Sequence, residues 1–513
     1  MIRTRFAPSP TGYIHVGNAR SALYPYLIAR QNLGKFILRI EDTDQNRFVA
    51  GAEELIYDTL SWLGLNWDEG PQPDGKEVGD FGPYKQTERK TIYLKWANKL
   101  IDKGLAYADP YSPEELADFR QQAINSKKPF LYRDFRPDNP PAWDGSQPLR
   151  FKVTNLKRYS WHDAVMGDLS AGPESLDDFI IIKSDGLPTY NFAHIVDDFE
   201  MQITHVIRGQ EYISSMPKYL SLYEALDITP PIFAHVPHIL APNGNKKLGK
   251  RDGAKSMSEY RAEGILPEAL VNFLAQLGWN DGTEQEIYTM DEIISKFSLD
   301  RIQKSGARFD EQRLLWLNGQ WIRRLELDDL YNRTNSRVAR LGGSPQNVSH
   351  VTDENFVGED GETGPGQQTT FWGPIGAKAS EKQQKVVLKI VQDRLKTLGD
   401  LPALTEYFFT EPLPNWQMID DNKQLSKLSR VEQLELLKTA KESLAKADFN
   451  DLEDLQNTLN KLLEQTSQKP AILFSLIRYA LTWAPFSPGL PETMQVLGKD
   501  TTLARLQTAI DAA

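Results

Sequence analysis

From Arg3 to Arg20 the chain reads Arg-Thr-Arg-Phe-Ala-Pro-Ser-Pro-Thr-Gly-Tyr-Ile-His-Val-Gly-Asn-Ala-Arg, and few folds accommodate such a string. Residues 4–7 have the composition of a short strand. Pro8 and Pro10 have no N–H to give a ladder and end it, Gly12 permits a tight bend, and Gly17 lets another group approach the backbone where the next element begins. From Asn18 onward Ala19, Ala22, Leu23, Tyr26 and Leu27 recur with helical spacing. A strand that turns directly into a helix aims free backbone N–H groups and the positive end of the helix dipole at whatever occupies the bend, so an anion is expected there. His15 stands at the helix mouth, where an imidazole can donate to a phosphate oxygen. A lone histidine at such a place is more often a cap or a packed surface residue, and similar turns occur in folds that bind no nucleotide.

With 513 residues the chain is long enough for three or more domains, each with its own core. No apolar run approaches the roughly 20 residues needed to span a bilayer. The chain enters the first strand at once, which leaves no room for a signal or transit peptide. It contains 0 cysteines, excluding disulfides and every Cys-containing zinc site, so no zinc is expected and a reducing cytoplasm is the natural compartment. A net charge of -11 argues against a nucleic-acid partner only weakly, because phosphate contacts need one basic face and not a basic average.

Residues 35–40 read as a second strand that delivers Glu41, Asp42 and Asp44 to its carboxyl end, where open parallel sheets bind ligands. For Asp42 and Asp44 a solvated acidic turn is the favoured reading. A helix over 52–63 should stop at Gly64. From about 79 to 188 the character is mixed, with a Pro-rich stretch at 128–148 and strand-like 149–154 and 179–184, as expected of an insertion between two halves of a sheet. The sheet resumes over 187–198 and 203–211. Arg208 follows the apolar pair Val206-Ile207, so its guanidinium should be buried, which is costly unless an anion meets it. That anion is either a ligand carboxylate clamped bidentately or an internal partner, Asp197 or Asp198, and the spacing weights the two equally. A basic loop, Ala-Pro-Asn-Gly-Asn-Lys-Lys-Leu-Gly-Lys-Arg-Asp-Gly over 241–253, follows Ile239-Leu240; by itself it is an ordinary solvated turn. Leu266, Leu270, Phe273, Leu274 and Leu277 mark a helix opened by Pro267 and closed by Gly278, and a basic stripe of Arg301, Lys304, Arg308, Arg313, Arg323 and Arg324 follows. Residues 341–377 read as a long loop or joint. From Glu381 the pattern is helical, as in Val387, Ile390, Val391, Leu395 and Leu398, and again in Leu452, Leu455, Leu459 and Leu462.

The string Ala-Pro-Ser-Pro-Thr-Gly-x-x-His-x-Gly-x-x-Arg resembles the first signature of the class I glutamyl-tRNA synthetases. His15 and Gly17 carry the match, and Asn18 stands at a place that varies. Lys247-Leu-Gly-Lys-Arg251 resembles the second signature, with both lysines kept and Gly249 in place of the usual serine. The resemblance implies an α/β fold: a Rossmann-like parallel-sheet catalytic domain (1–80 and 188–255), an inserted domain for the acceptor end of tRNA (81–187), a stem-contact helical domain (256–322), and an all-α C-terminal half with helical anticodon-binding domains (323–385 and 386–513). It implies that His15, Lys247 and Lys250 are catalytic. Glutamate would be held by Arg5, Ala7, Ser9, Glu41, Tyr190, His194 and Arg208, with Arg5, Tyr190 and Arg208 on the γ-carboxylate, Glu41 beside the α-ammonium and His194 on the α-carboxylate. ATP would meet His15, Gly17, Glu211, Leu240, Lys247, Lys250 and Arg251, with Mg2+ carried by its phosphates and no dedicated cage.

The implied partners are L-glutamate, ATP and tRNA for Glu, without a membrane, in a protein expected to be monomeric. Between 341 and 377 the chain has no Arg or Lys to read the third anticodon base, so charging of tRNA for Gln is also expected, unless Arg337 or Arg340 performs that reading. A small-molecule adenylyltransferase sharing the His-x-Gly turn is the rival. A non-catalytic RNA-binding relic fits poorly with an intact set of Arg5, Glu41, Arg208 and Lys250.

Overall fold

In the computed structural model of the chain, β1 (Arg3–Phe6) and β2 (Lys35–Leu38) run parallel with Arg5 opposite Ile37, joined through the helix α1 (Val16–Gln31). The structure describes residues 1–249, 253–336, 370–484 and 486–513, together with backbone positions of short strands between 338 and 369. These divide into two units, Met1–Ser258 with Leu270–Glu311, and Glu259–Ala269 with Gln312–Ala513. The segment expected as a stem-contact domain, 256–322, is shared between them.

In the first unit, α1 begins two residues before Asn18 because His15 caps it. Strand β2 ends two residues earlier than expected, yet the chain stays extended: the Arg39 N–H donates to the Phe6 carbonyl at 3.0 Å and the Ile40 N–H to the Tyr84 carbonyl at 2.9 Å. Helix α2 (Ala52–Trp62) ends before Gly64, whose φ of +72° a side chain would resist. A small antiparallel ribbon of β3 (Gly70–Pro71) and β4 (Glu77–Val78) leads to α3 (Lys90–Asp102).

The segment expected as an insertion, 81–187, continues with β5 (Ala106–Ala108), α4 (Pro113–Asn125), β6 (Leu149–Phe151), β7 (Tyr159–Asp163), β8 (Gly167–Ala171) and β9 (Phe179–Ile182), all within the first unit. Strands β5, β6 and β9 form an antiparallel sheet and β7 with β8 a hairpin. The main sheet then resumes through α5 (Tyr190–Glu200), β10 (His205–Gly209), α6 (Met216–Leu226), β11 (Ile232–Val236) and β12 (Ile239–Leu240).

Strands β10 and β11 are parallel, with Arg208 opposite His235, and β7 adds to the far edge of β11 through Asp163 opposite Phe233. The Thr204 N–H donates to the Arg3 carbonyl at 2.9 Å, which sets β10 beside β1. The result is a parallel sheet with carboxyl ends on one side, the arrangement in which ligands sit beyond the strand ends. Because β7 is hydrogen-bonded onto this sheet, the insertion shares its core: Leu149, Phe151 and Ile181 pack in one cluster with Phe192, Val206 and Leu222.

The second unit is helical after residue 370. Val387, Val391, Leu395 and Leu398 bury one face against Leu266, Ala269 and Ile322, while Leu455, Leu459 and Leu462 pack with Leu437 and Leu476. Capping boxes at Ser380/Gln383 and Ser429/Glu432 start the helices Glu381–Val391 and Arg430–Leu444. Most of 341–377, including Pro365 and Gly366, lies outside the described residues, as do Arg337 and Arg340. No helix among the described residues is long and apolar enough to cross a membrane.

Candidate active site

The Pro-rich turn after β1 is held by the extension of β2: the Glu41 N–H donates to the Pro8 carbonyl and the Val49 N–H to that of Pro10, both at 3.0 Å. These bonds bring Glu41 level with Ala7 and Ser9. At the start of α1 the Gly17 N–H donates to His15 Nδ1 at 3.0 Å, and the His15 N–H donates to Asn18 Oδ1 at 3.3 Å, a capping box made with an imidazole. With Nδ1 accepting, the neutral ring carries its proton on Nε2, the tautomer that donates. A Cβ at Gly17 would lie 2.8 Å from His15 Cε1. The group that needs the missing side chain at 17 is therefore the histidine ring.

After the basic loop, Ser256 pairs with the backbone of His15, and the Met257 N–H donates to the Ile14 carbonyl at 2.9 Å. The chain leaving the basic loop is thus tied to the backbone of the first signature. The loop leaves the sheet as a hairpin, with Leu248 buried and its N–H on the Ile239 carbonyl at 2.9 Å. Lys247 Nζ stands 3.6 Å from Glu211 Oε1, and Leu240 is half-buried beside it in a bridge to Lys247. Lys250 and Arg251 lie outside the described residues.

A cleft of about 630 Å3 opens at the carboxyl ends of β1 and β10. Arg5, Ala7, Ser9 and Glu41 line one wall; Tyr190, Arg208 and Glu211 line the other. His194 is packed behind Tyr190, stacked at 4.7 Å between ring centroids. Its Nδ1–H donates to the Tyr190 carbonyl at 2.7 Å, and Nε2 is buried with no hydrogen-bond partner. Burial, with the Arg208 charge acting in the same direction, lowers its pKa to about 3. Nε2 therefore offers a lone pair and no proton, a poor match to the carboxylate role expected of His194.

Most of the buried charges around the cleft are paired with one another. Asp198 takes Arg5 Nε at 3.1 Å and Arg39 Nη1 at 2.8 Å; Arg39 Nη2 reaches Glu41 at 2.9 Å. Asp197 takes Arg89 Nε at 2.7 Å, with Tyr93 and Gln86 completing its bonds. Burial opposes ionisation of Asp198, but Arg5 and Arg39 outweigh it and hold its pKa below the ordinary value. Glu41 goes the other way, raised by burial despite Arg39. Arg5, Arg39 and Arg89 are matched by Glu41, Asp197 and Asp198.

Arg208 remains outside this balance. Its Nε donates to His235 Nε2 at 3.2 Å, its Nη2 meets Met216 Sδ at 3.4 Å, and the rings of Tyr212 and Tyr219 lie 4.7 and 5.0 Å from Cζ. Nη1 is buried with no partner, and the residue is 6% exposed. Neither Asp197 nor Asp198 pairs with it, so the internal ion pair weighed from spacing does not form.

Asp42 is a second departure. It is buried and accepts the Thr87 N–H and hydroxyl at 2.9 and 2.6 Å, tying down the approach to α3, whereas Asp44 is paired with Arg47 at the surface. Sequence reasoning also missed Arg39, although a charged residue within the apolar run Phe-Ile-Leu-Arg-Ile was a readable signal.

Residues 1–316 match the family model described as the catalytic domain of class I tRNA synthetases (E and Q), and residues 368–510 match an anticodon-binding domain. A glutamate–tRNA ligase 2 from Caldicellulosiruptor saccharolyticus is 37% identical over 99% of this chain and 98% of its own length. A glutamate–tRNA ligase from Moorella thermoacetica is 38% identical over 99% and 98%. The chain belongs to the class I glutamate–tRNA ligase family. A crystal structure of a member from Elizabethkingia meningosepticum, in complex with its amino acid, superposes with a TM-score of 0.80 at 31% identity, covering 99% of each chain. Family likeness runs through both units, so an adenylyltransferase that shares only the nucleotide fold is not favoured.

Proposed function

We propose that this chain activates L-glutamate with ATP and transfers it to the 2′-OH of the terminal adenosine of tRNA for Glu. The observation that carries this reading is Arg208, a buried guanidinium on the cleft wall with an unmet N–H beside charges that are already balanced. A side-chain carboxylate supplies the missing charge and the acceptor atoms. Glutamine brings no charge, and its amide would turn N–H donors toward donors. Arg5 spends Nε and Nη2 on Asp198, so the carboxylate clamp centres on Arg208 with Tyr190 beside it. Glu41, a buried carboxylate, suits the α-ammonium group, while Ala7 and Ser9 border the backbone of the amino acid. His194 supports Tyr190 from behind.

In activation, an oxygen of the glutamate α-carboxylate attacks the α-phosphorus of ATP and pyrophosphate leaves. His15 Nε2–H, fixed as donor by the cap, and Lys247 and Lys250 of the basic loop stabilise the charge that builds on the phosphates. Gly17, Glu211, Leu240 and Arg251 complete the nucleotide contacts. Mg2+ enters with ATP and supplies further charge neutralisation; among the described residues no cluster of three or more acidic or His side chains is placed to cage it. The 2′-oxygen then attacks the acyl carbon, AMP leaves, and the hydroxyl proton goes to the departing phosphate.

The inserted segment is assigned to the acceptor end of tRNA, 256–322 to its stem and the helices after 323 to the anticodon. The protein acts as a cytoplasmic monomer. The absence of Arg and Lys between 341 and 377 further supports charging of tRNA for Gln. Incubation with ATP, Mg2+, labelled glutamate and each purified tRNA should give an alkali-labile glutamyl ester on both. No ester on either overturns the ligase reading. A preference above roughly 10²-fold for tRNA of Glu, about the 1–3 kcal/mol of a bidentate base contact, overturns only the relaxed specificity and points to Arg337 or Arg340.

A further inference from the structure

Behind Arg208 lies a hydrogen-bond chain that no substrate contact requires. His235 is 0% exposed and sits opposite Arg208 in the β10–β11 register. Its Nδ1–H donates to Asp163 Oδ2 at 2.6 Å, and its Nε2 accepts from Arg208 Nε at 3.2 Å. Asp163, also fully buried, comes from the last residue of β7 in the insertion. Its Oδ1 accepts backbone N–H groups of Val165, Met166 and His235 at 3.0, 2.9 and 3.1 Å.

The directions of these bonds are forced. An ionised Asp163 only accepts, so His235 puts its proton on Nδ1 and turns a lone pair to Arg208. Burial keeps the imidazole neutral, and a neutral ring offers one acceptor nitrogen. We propose that Asp163 and His235 are positioning residues for the glutamate pocket: Asp163 selects the His235 tautomer that anchors Arg208 by Nε, and so leaves Nη1 to receive the substrate carboxylate. This inference rests on the reading of Arg208 given above. It makes a strand of the insertion part of amino-acid recognition.

The discriminating variant is Asp163→Asn. The Val165 and Met166 N–H groups converge on Oδ1, while the His235 N–H is shared with Oδ2 at 3.2 Å, so the amide oxygen takes the Oδ1 place and the NH2 faces the His235 ring. Nδ1 then accepts, Nε2 carries the proton, and two N–H groups confront each other at Arg208. KM for glutamate should rise roughly tenfold or more, the scale of one buried hydrogen bond replaced by an unsatisfied pair, with KM for ATP within about twofold of the parent. His235→Leu should do the same, whereas His235→Gln, which keeps an acceptor toward Arg208 and a donor toward Asp163, should stay within about threefold of the parent.

In an Arg208→Ala background neither Asp163→Asn nor His235→Leu should add to the loss. The inference is overturned if Arg208→Ala weakens glutamate but Asp163→Asn and His235→Leu do not, or if they weaken glutamate and ATP together. If Arg208→Ala itself leaves KM for glutamate unchanged, the pocket reading falls and the positioning role falls with it. Should Asp163→Asn fail to fold, the contrast between His235→Gln and His235→Leu decides.

Discussion

A guanidinium taken out of water costs several kcal/mol unless its donors are met, and the usual remedy is a carboxylate within reach. Arg3, Arg5, Arg39 and Arg89 follow that rule, each against a Glu or Asp at 2.7–3.1 Å. Arg208 instead has a neutral imidazole, a thioether and aromatic rings, which solvate it without neutralising it. Arg208→Ala should therefore cost about 2–5 kcal/mol in glutamate binding, the penalty of stranding the partner of a buried charge. KM for ATP should hold. Arg208→Lys should rescue little, since an ammonium cannot reproduce a planar fork. A folded Arg208→Ala enzyme with the parental KM for glutamate would make the residue merely structural.

The strand-turn-helix at the start of the chain does two jobs with one side chain. His15 caps α1 through Nδ1, a role worth about 0.5–2 kcal/mol, and in the proposed mechanism donates from Nε2 to the phosphates. Asparagine can also cap but has no group that reaches as far. His15→Asn should melt close to the parent while adenylate formation, measured with tRNA present, slows by roughly 10²- to 10³-fold. His15→Ala should lose both the stability and the rate. An Asn variant that activates glutamate at the parental rate would confine His15 to capping.

Stability of the whole first unit should depend on pH through groups that its core keeps from titrating normally. The folded pKa of His194, about 3, lies below its ordinary 6.5, so the unfolded chain binds the extra proton in that interval. Its contribution is complete above about pH 6.5 and is lost as pH falls toward 3. His205, His235 and His238, lowered chiefly by burial, act in the same direction. Asp198, held below 3.8, adds a loss beneath about pH 4, while Glu41, raised by burial, offsets part of it. Urea titrations from pH 7 to 4 should show stability falling with acid, and His194→Gln should flatten that fall between about pH 6.5 and 5. Equal slopes for parent and variant would show that His194 protonates without opening the core.

Local elements were legible in the sequence because their causes lie within a few residues. Proline and glycine punctuation ends β1 and α2, and helical periodicity marks the C-terminal half. The boundary errors have a local cause too: His15 starts α1 early because an imidazole cap is rarer than a serine or aspartate one. Which arginine meets which carboxylate was not legible. Arg5, Arg39, Arg89 and Arg208 come from β1, the extension of β2, the turn before α3 and β10, while Asp197 and Asp198 are consecutive on α5, so sequence separation carries no information about their pairing. Strand order decides it. Placing β10 between β1 and β11 brings His235, not a carboxylate, to the neighbour position of Arg208, and Asp163 behind it from a strand more than forty residues upstream. The sequence by itself determined the strand-turn-helix, the basic loop and the helical half; the tertiary structure alone decided that Arg208 would be buried without a carboxylate partner, because Coulomb partners are chosen by distance in space.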